Sequence, residues 1–361
     1  MQFRPDHPGG SGKTALQKVL IAMEHLTKQQ LTDVIEGRTN APRVPILYSI
    51  WMNAAPFDGD VEAYQKWIEE KPCDVAYLCL NMPGLFRGTE DAPEYRWAFG
   101  DKQEKPGIGL DSQIVLENWE EAEEFYASFP DPEYPNLLPR VPEGEERYIL
   151  VNWWYTLFER HWSLRGMENT MYDFFDYPEE VHRLYDRLTD YYIRLIQRAR
   201  EEIGADGFFL SDDLGSQKAP LVSPYIFETF LKPRYKRLVD SAHAMGVHIW
   251  LHTCGNVLPF LEDFIEIGFD VIHPIQKRTM DAAQVAETFG GRICILAGFD
   301  VQRVIPYGTE EDVRKEVRWL VDTYRREEGR FMLTMGNGAT EDWKVNCLDA
   351  LYEETLTYGK C

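Results

Sequence analysis

Positions 252 and 254 carry a pair of side chains that could share a cation. In His252-Thr253-Cys254-Gly255-Asn256 the histidine and the cysteine stand two residues apart at the end of an apolar run. In extended backbone both therefore project from one face. A neutral imidazole and a thiolate are good zinc donors, but a catalytic zinc normally takes three protein ligands. A buried cysteine and a hydrogen-bonded histidine at a tight Gly-Asn turn would give the same spacing. Asp212-Asp213 offers either a general acid or base, with the like charge raising one pKa, or an oxygen ligand for the metal. It could equally be one helix cap and one solvated carboxylate. Glu159 and His161 alternate on one local face, as ligands or acid/base groups or as partners of Arg160 or Arg165. Gln276, Asp300, Gln302 and Asn337 also follow apolar runs, whereas His273 reads most simply as a satisfied core histidine. Trp153-Trp154-Tyr155 is either core or an aromatic wall for a flat or methylated substrate.

Residues so far apart in sequence converge only if a scaffold gathers the ends of many strands. Apolar runs at 44–50, 74–80, 148–152, 207–211, 248–252, 269–273, 293–297 and 331–335 are candidates for eight such strands. They are mostly continuous rather than alternating, as parallel strands buried on both faces should be. Helical stretches separate them, which is the pattern of βα units. Pro178-Glu179-Glu180 opens a helix that Gly204 closes, and Thr309 caps another with an acidic first turn that runs to Arg325. A helix over 15–36 precedes the first strand. The segment 84–147, with prolines at 130, 132, 135, 139 and 142, is too long for a turn. We expect it to be an insertion of short helices and a proline-rich strap over the barrel mouth.

The pattern predicts an α/β fold, a (β/α)8 TIM barrel in one domain spanning 1–361, with 1–40 as lead-in and helix. A net charge of −22 argues against a nucleic-acid surface, which needs clustered Lys and Arg. Cys73, Cys79, Cys254, Cys294, Cys347 and Cys361 lack framework spacing, so a reducing, cytoplasmic setting is expected. No apolar run approaches the ~20 residues of a membrane span. Gly9-Gly10-Ser11-Gly12-Lys13-Thr14 resembles a phosphate-binding loop only in part, because His7 stands where its first glycine belongs.

Between 148 and 308 the chain closely resembles uroporphyrinogen decarboxylase-like proteins. The resemblance is carried by Gly204-Ala205-Asp206-Gly207, Asp212-Asp213-Leu214-Gly215-Ser216-Gln217, Lys232-Pro233-Arg234-Tyr235-Lys236, His252-Thr253-Cys254-Gly255-Asn256 and Gly298-Phe299-Asp300-Val301-Gln302. It extends weakly to Arg43-Val44-Pro45 and the C-terminal helix. The superfamily holds a cofactor-independent decarboxylase and corrinoid-dependent methyltransferases that share His-x-Cys-Gly and use zinc. After the first apolar run this chain has Ser49-Ile50-Trp51-Met52-Asn53, without the arginines that grip an acidic porphyrin. After the last it has Gly336-Asn337-Gly338, without the further cysteine of the coenzyme M enzymes. The third zinc ligand is thus open between Asp213 and Glu159.

The resemblance implies a zinc-dependent methyltransferase of the O-demethylase type, moving a methyl group from a small methoxylated substrate to a corrinoid protein. The alternative is a decarboxylase acting on a non-porphyrin substrate. Expected site residues are His252 and Cys254 on the metal and Asp212, Asp213 and Glu159 in catalysis. Trp153, Tyr155, Gln217, Gln276, Asp300 and Asn337 are expected around the substrate. Expected partners are a corrinoid-binding protein, with cobalamin-type cofactor carried there, and a small-molecule substrate. A homodimer is left open, and neither nucleic acid nor membrane is expected.

Overall fold

The computed structural model describes residues 25–104 and 113–360. The glycine-rich 9–14 stretch and the 15–24 part of the expected first helix lie outside the described residues. Seven parallel strands follow one another in sequence order across a single curled sheet: β1 Val75–Cys79, β2 Tyr148–Trp153, β3 Gly207–Ser211, β4 His248–His252, β5 Val271–His273, β6 Cys294–Phe299 and β7 Phe331–Met335. Sequential order without reversal is that of a TIM-barrel-like wall, not of a doubly wound sheet.

Alternation along each strand divides the core in two. Leu150, Phe209, Trp250, Val271, Cys294, Leu296 and Met332 share one cluster, inside the curl. Their strand neighbours Val151, Phe208, Leu210, Ile249, Leu251, Ile272 and Leu333 belong to the cluster under the outer helices. The inner cluster also takes Leu31, Val34 and Ile35 of α1, Lys28–Glu36, which therefore closes one end of the curl. Thr27 and Gln30 form a reciprocal capping box at its start, and Gly37 ends it at φ 70°.

The expected first strand at 44–50 is reduced to one parallel bridge, Ile46 with Leu333, and the chain then turns into a 3-10 turn, Tyr48–Trp51. Hydrogen bonds explain why. Leu333 N–H donates to Pro45 O and Leu47 N–H to Leu333 O, so this segment docks on β7. On its other side Asp74 N–H donates to Ile46 O, while the Asp74 carboxylate takes the Ile46 N–H at 2.7 Å. A side chain thus occupies the place where a ladder would continue, and 45–47 joins the two sheet edges without becoming a strand.

Outside the sheet lie α2 (Val61–Glu69), α3 (Ala122–Ala127), α4 (Phe158–Arg165), α5 (Met167–Asp176), α6 (Pro178–Ile203), α7 (Lys232–Ala244), α8 (Leu261–Ile267), α9 (Ala282–Phe289), α10 (Glu310–Tyr324) and α11 (Val345–Tyr358). Pro178 opens α6 and Gly204 closes it at φ 68°, and Thr309 caps α10 in a capping box with Asp312. The 84–147 excursion contains α3 and leans on α4, α5 and α6. Val115 and Leu116 donate to Leu164 O, Trp119 Nε1 donates to Asp173, and Trp97 packs against Tyr191.

Candidate metal centre

The inward parity of β3, β4 and β5 continues past their ends, so residues 211 and 213, 252 and 254, and 273 converge. Two loops are then pressed together backbone to backbone. A Cβ on Gly255 would lie 2.2 Å from Gly215 C and O, and one on Gly215 would lie 2.6 Å from Cys254 O. Gly255 also sits at φ 83°. Only glycine fits at this crossing, which accounts for both the Leu214-Gly215-Ser216 and Cys254-Gly255-Asn256 motifs. Asn256 N–H donates to Ser216 O and Leu214 N–H to Thr253 Oγ1, fixing the register of the two loops.

This crossing places Asp213 beside the His-x-Cys pair. One donor atom from each of Asp213, His252 and Cys254 lies within 4.8 Å of the others. Cys254 Sγ is 3.3 Å from His252 Nε2, which is 3.5 Å from Asp213 Oδ1. Zinc bonds of ~2.0–2.3 Å at tetrahedral angles imply donor separations of roughly 3.3–3.6 Å. The nitrogen, sulfur and oxygen donors suit zinc in type, and the two separations from His252 Nε2 fall in this range. Burial, and then the Asp213 charge, push the Cys254 thiol up, while burial holds the His252 imidazole down and neutral. A divalent cation reverses the first effect, because a coordinated thiol loses its proton.

Around these three the structure distributes the other expected residues unevenly. Glu159 is buried and accepts a 2.5 Å hydrogen bond from Ser211 Oγ. Burial and the charges of Asp213 and Asp212 push its carboxyl up to about 8. Asp212 does not face the Asp213 cluster. It is fully buried, Oδ2 accepts from Leu157 N, Phe158 N and Tyr235 Oη, and Oδ1 accepts from Glu159 N. These amides open α4, so Asp212 serves as that helix's N-terminal anion. Burial pushes its carboxyl up to about 6, against the four donors that favour the charge. His161 is also inside, between Tyr185 and Asp173.

Gln276, Asp300, Gln302 and Asn337 line one cavity of about 50 Å³, open to solvent, together with Cys254 and Arg278. Gln276 Oε1 accepts from Gly255 N at 2.6 Å, and Asn337 Nδ2 lies 3.9 Å from Cys254 Sγ. Asp300 accepts from Gln302 N and Arg303 N and faces Arg278 at 3.1 Å. No described residue of 84–147 is among those lining it. Trp153 points outward into the core, stacked on Tyr192 at 4.9 Å, and Tyr155 is half-exposed beside Trp162 and Arg160. Gln217 lies on an exposed turn away from the cavity. Two tryptophan rings stand beside the imidazoles: Trp51, 5.4 Å from His252 and 5.0 Å from His273, and Trp154, 5.8 Å from His252. Trp154 shares the sequence cluster with Trp153, and only strand parity tells them apart.

His273 is the member the sequence did not single out for the centre. Its Nδ1 is 2.7 Å from His252 Nδ1 and its Nε2 is 2.8 Å from Met335 O.

Comparison with known proteins agrees with this architecture. A methyltransferase from Methanosarcina mazei superposes with a TM-score of 0.63 at 16% identity, over 93% of this chain and 99% of its own, which speaks for the shared fold. A sugar phosphate isomerase/epimerase from Parabacteroides distasonis aligns over 89% of this chain and 96% of its own at 10% identity. Its TM-score of 0.41 is too low to bear on function. No curated protein matches the sequence. Among the described residues no helix is long and apolar enough to cross a membrane. The family model for uroporphyrinogen decarboxylase (URO-D) matches residues 160–358, more than half of the sequence and the part that carries β3 to β7 with both glycine-crossed loops, and the chain belongs to that family.

Proposed function

We propose that this protein is a zinc-dependent methyltransferase that moves a methyl group from a small methoxylated compound to the corrinoid of a partner protein. The observation that carries the reading is the Asp213, His252 and Cys254 triad, whose donors suit zinc in kind and of which the thiol and the carboxylate lie 3.3 and 3.5 Å from the His252 Nε2. Zinc held there would supply Lewis acidity, drawing charge from the leaving oxygen as the methyl group departs. Glu159, held by Ser211 and raised by burial and by the Asp213 charge, would exchange a proton with that oxygen.

The cavity beside Cys254 takes the rest of the substrate. Gln276 and Asn337 offer amides, and Arg278 offers a guanidinium that suits an anionic ring substituent such as a carboxylate. The corrinoid protein docks over the strand ends, where Cys254 remains accessible. The absence of arginines in Ser49-Ile50-Trp51-Met52-Asn53 disfavours an acidic porphyrin as substrate.

Zinc analysis of chain purified without chelator should give one zinc per chain, and Cys254→Ala should lose it. Methyl transfer from a methoxybenzoate to free cob(I)alamin, followed spectrally, should fall at least about 100-fold in the variant. Wild-type protein without stoichiometric zinc, or activity unaffected by chelator, would remove the basis for this reading and favour the decarboxylase.

A further inference from the structure

An imidazole has two nitrogens, and a cation needs the one without a hydrogen. For His252 the structure determines which that is. His273 lies fully buried next to it, with its ring nearly parallel to Trp51 at 5.0 Å and 18°. His273 Nε2 is 2.8 Å from Met335 O. A carbonyl oxygen only accepts, so this nitrogen carries the hydrogen. A neutral imidazole has one N–H, which leaves His273 Nδ1 as a bare lone pair. That lone pair is 2.7 Å from His252 Nδ1, which must then be the donor. The single hydrogen of His252 is used there, and its Nε2 is left as a lone pair facing Cys254 Sγ and Asp213 Oδ1.

We propose that His273 is a positioning residue of the metal centre, holding His252 in the tautomer and ring orientation that present Nε2 to zinc. This rests on the zinc reading above. The relay runs from the β7 carbonyl of Met335 through His273 on β5 to His252 on β4, so three strand ends set one lone pair. Trp51 covers both rings, 5.4 Å from His252, and limits their rotation. Partners of this kind, which orient a metal-binding histidine through its other nitrogen, are commonly worth 10–100-fold in metal affinity.

Three variants separate this role from simple packing. His273→Phe keeps the ring but has no acceptor. His273→Gln can still donate to Met335 O but places nothing at the Nδ1 position. His273→Asn restores an acceptor near Nδ1 while losing the Met335 contact. Zinc affinity of the folded apoprotein, measured by competition with a chromophoric chelator, should weaken about 10–100-fold in the Phe and Gln variants and largely recover in Asn. The visible spectrum of Co2+-loaded protein should report the altered imidazole donor in the first two and be close to wild type in the third.

A packing role reverses the order, with Phe mildest and Asn worst. That order, or unchanged zinc affinity in His273→Phe, would overturn the inference while leaving the metal reading intact. Wild-type protein that takes up no zinc would overturn both. Should His273→Phe be insoluble, the Asn and Gln pair tests the same order.

Discussion

Asp212 and Asp213 are neighbours in sequence with different surroundings. Asp212 takes four buried donors and holds the start of α4, whereas Asp213 lies against the imidazole and thiol. Asp212→Ala strands three amides and the Tyr235 hydroxyl, so it should cost about 3 kcal/mol in urea unfolding. Asp213→Ala removes one acceptor from Cys254 N and should cost only about 1 kcal/mol, yet abolish tight zinc binding. Equal stability losses for the two variants would contradict this division. The adjacent pair offered both uses in sequence, but the assignment of each came from the side chains' directions.

At the scale of elements, Asp173 on α5 ties together pieces that flank the site. It receives Arg165 Nε and Nη2 at 2.8 and 2.9 Å, His161 Nε2 at 3.1 Å and Trp119 Nε1 at 2.9 Å, joining α4, α5 and the 113–121 segment. Burial alone would raise its pKa, but the donors led by Arg165 outweigh burial and hold the carboxyl at about 2. A folded pKa below the ordinary value of about 4 stabilises the fold above pH 4, and the contribution disappears as pH falls through about 2. The shift corresponds to about 2 kcal/mol. Asp173→Asn should therefore destabilise the protein at pH 7, by about 3 kcal/mol since Arg165 is left buried without its counter-ion. Denaturation curves of the two proteins should converge towards pH 2, and a constant gap down to that pH would count against the ionised hub.

At the scale of the molecule, the seam between β7 and β1 is where, among the described residues, the 45–47 segment joins the two edges of the curled sheet. Arg43 and Asp74 form a buried two-point ion pair there at 2.7 and 2.8 Å, and Asp74 also accepts from Leu26 N and Ile46 N. Asp74 therefore joins the residue before the α1 cap, the 45–47 segment and the entry to β1. Asp74→Ala should cost about 3–5 kcal/mol, because the buried guanidinium of Arg43 loses its carboxylate and two amides lose their acceptor. Chemical denaturation measures it, and a loss below about 1 kcal/mol would show that the seam is held by packing alone. The zinc content of the folded variant should be unchanged, since the centre is built on β3, β4 and β5.

Seven apolar runs in the sequence determined β1 to β7, and the helix ends at Pro178, Gly204 and Thr309 followed from local rules of proline, glycine and capping. Such features depend on neighbours within a few residues, so they are legible along the chain. The His252 and Cys254 pairing was legible for the same reason, because strand parity acts over two positions. Tertiary structure alone decided the rest. That 44–50 is not a strand depends on the Asp74 side chain 28 residues from Ile46, and the convergence of Asp213 with His252 and Cys254 depends on the contact between Gly215 and Gly255. The place of His273 beside His252 depends on strand adjacency. Contacts between distant segments carry no periodicity, and hydrogen-bond partners chosen across a fold leave no spacing to read.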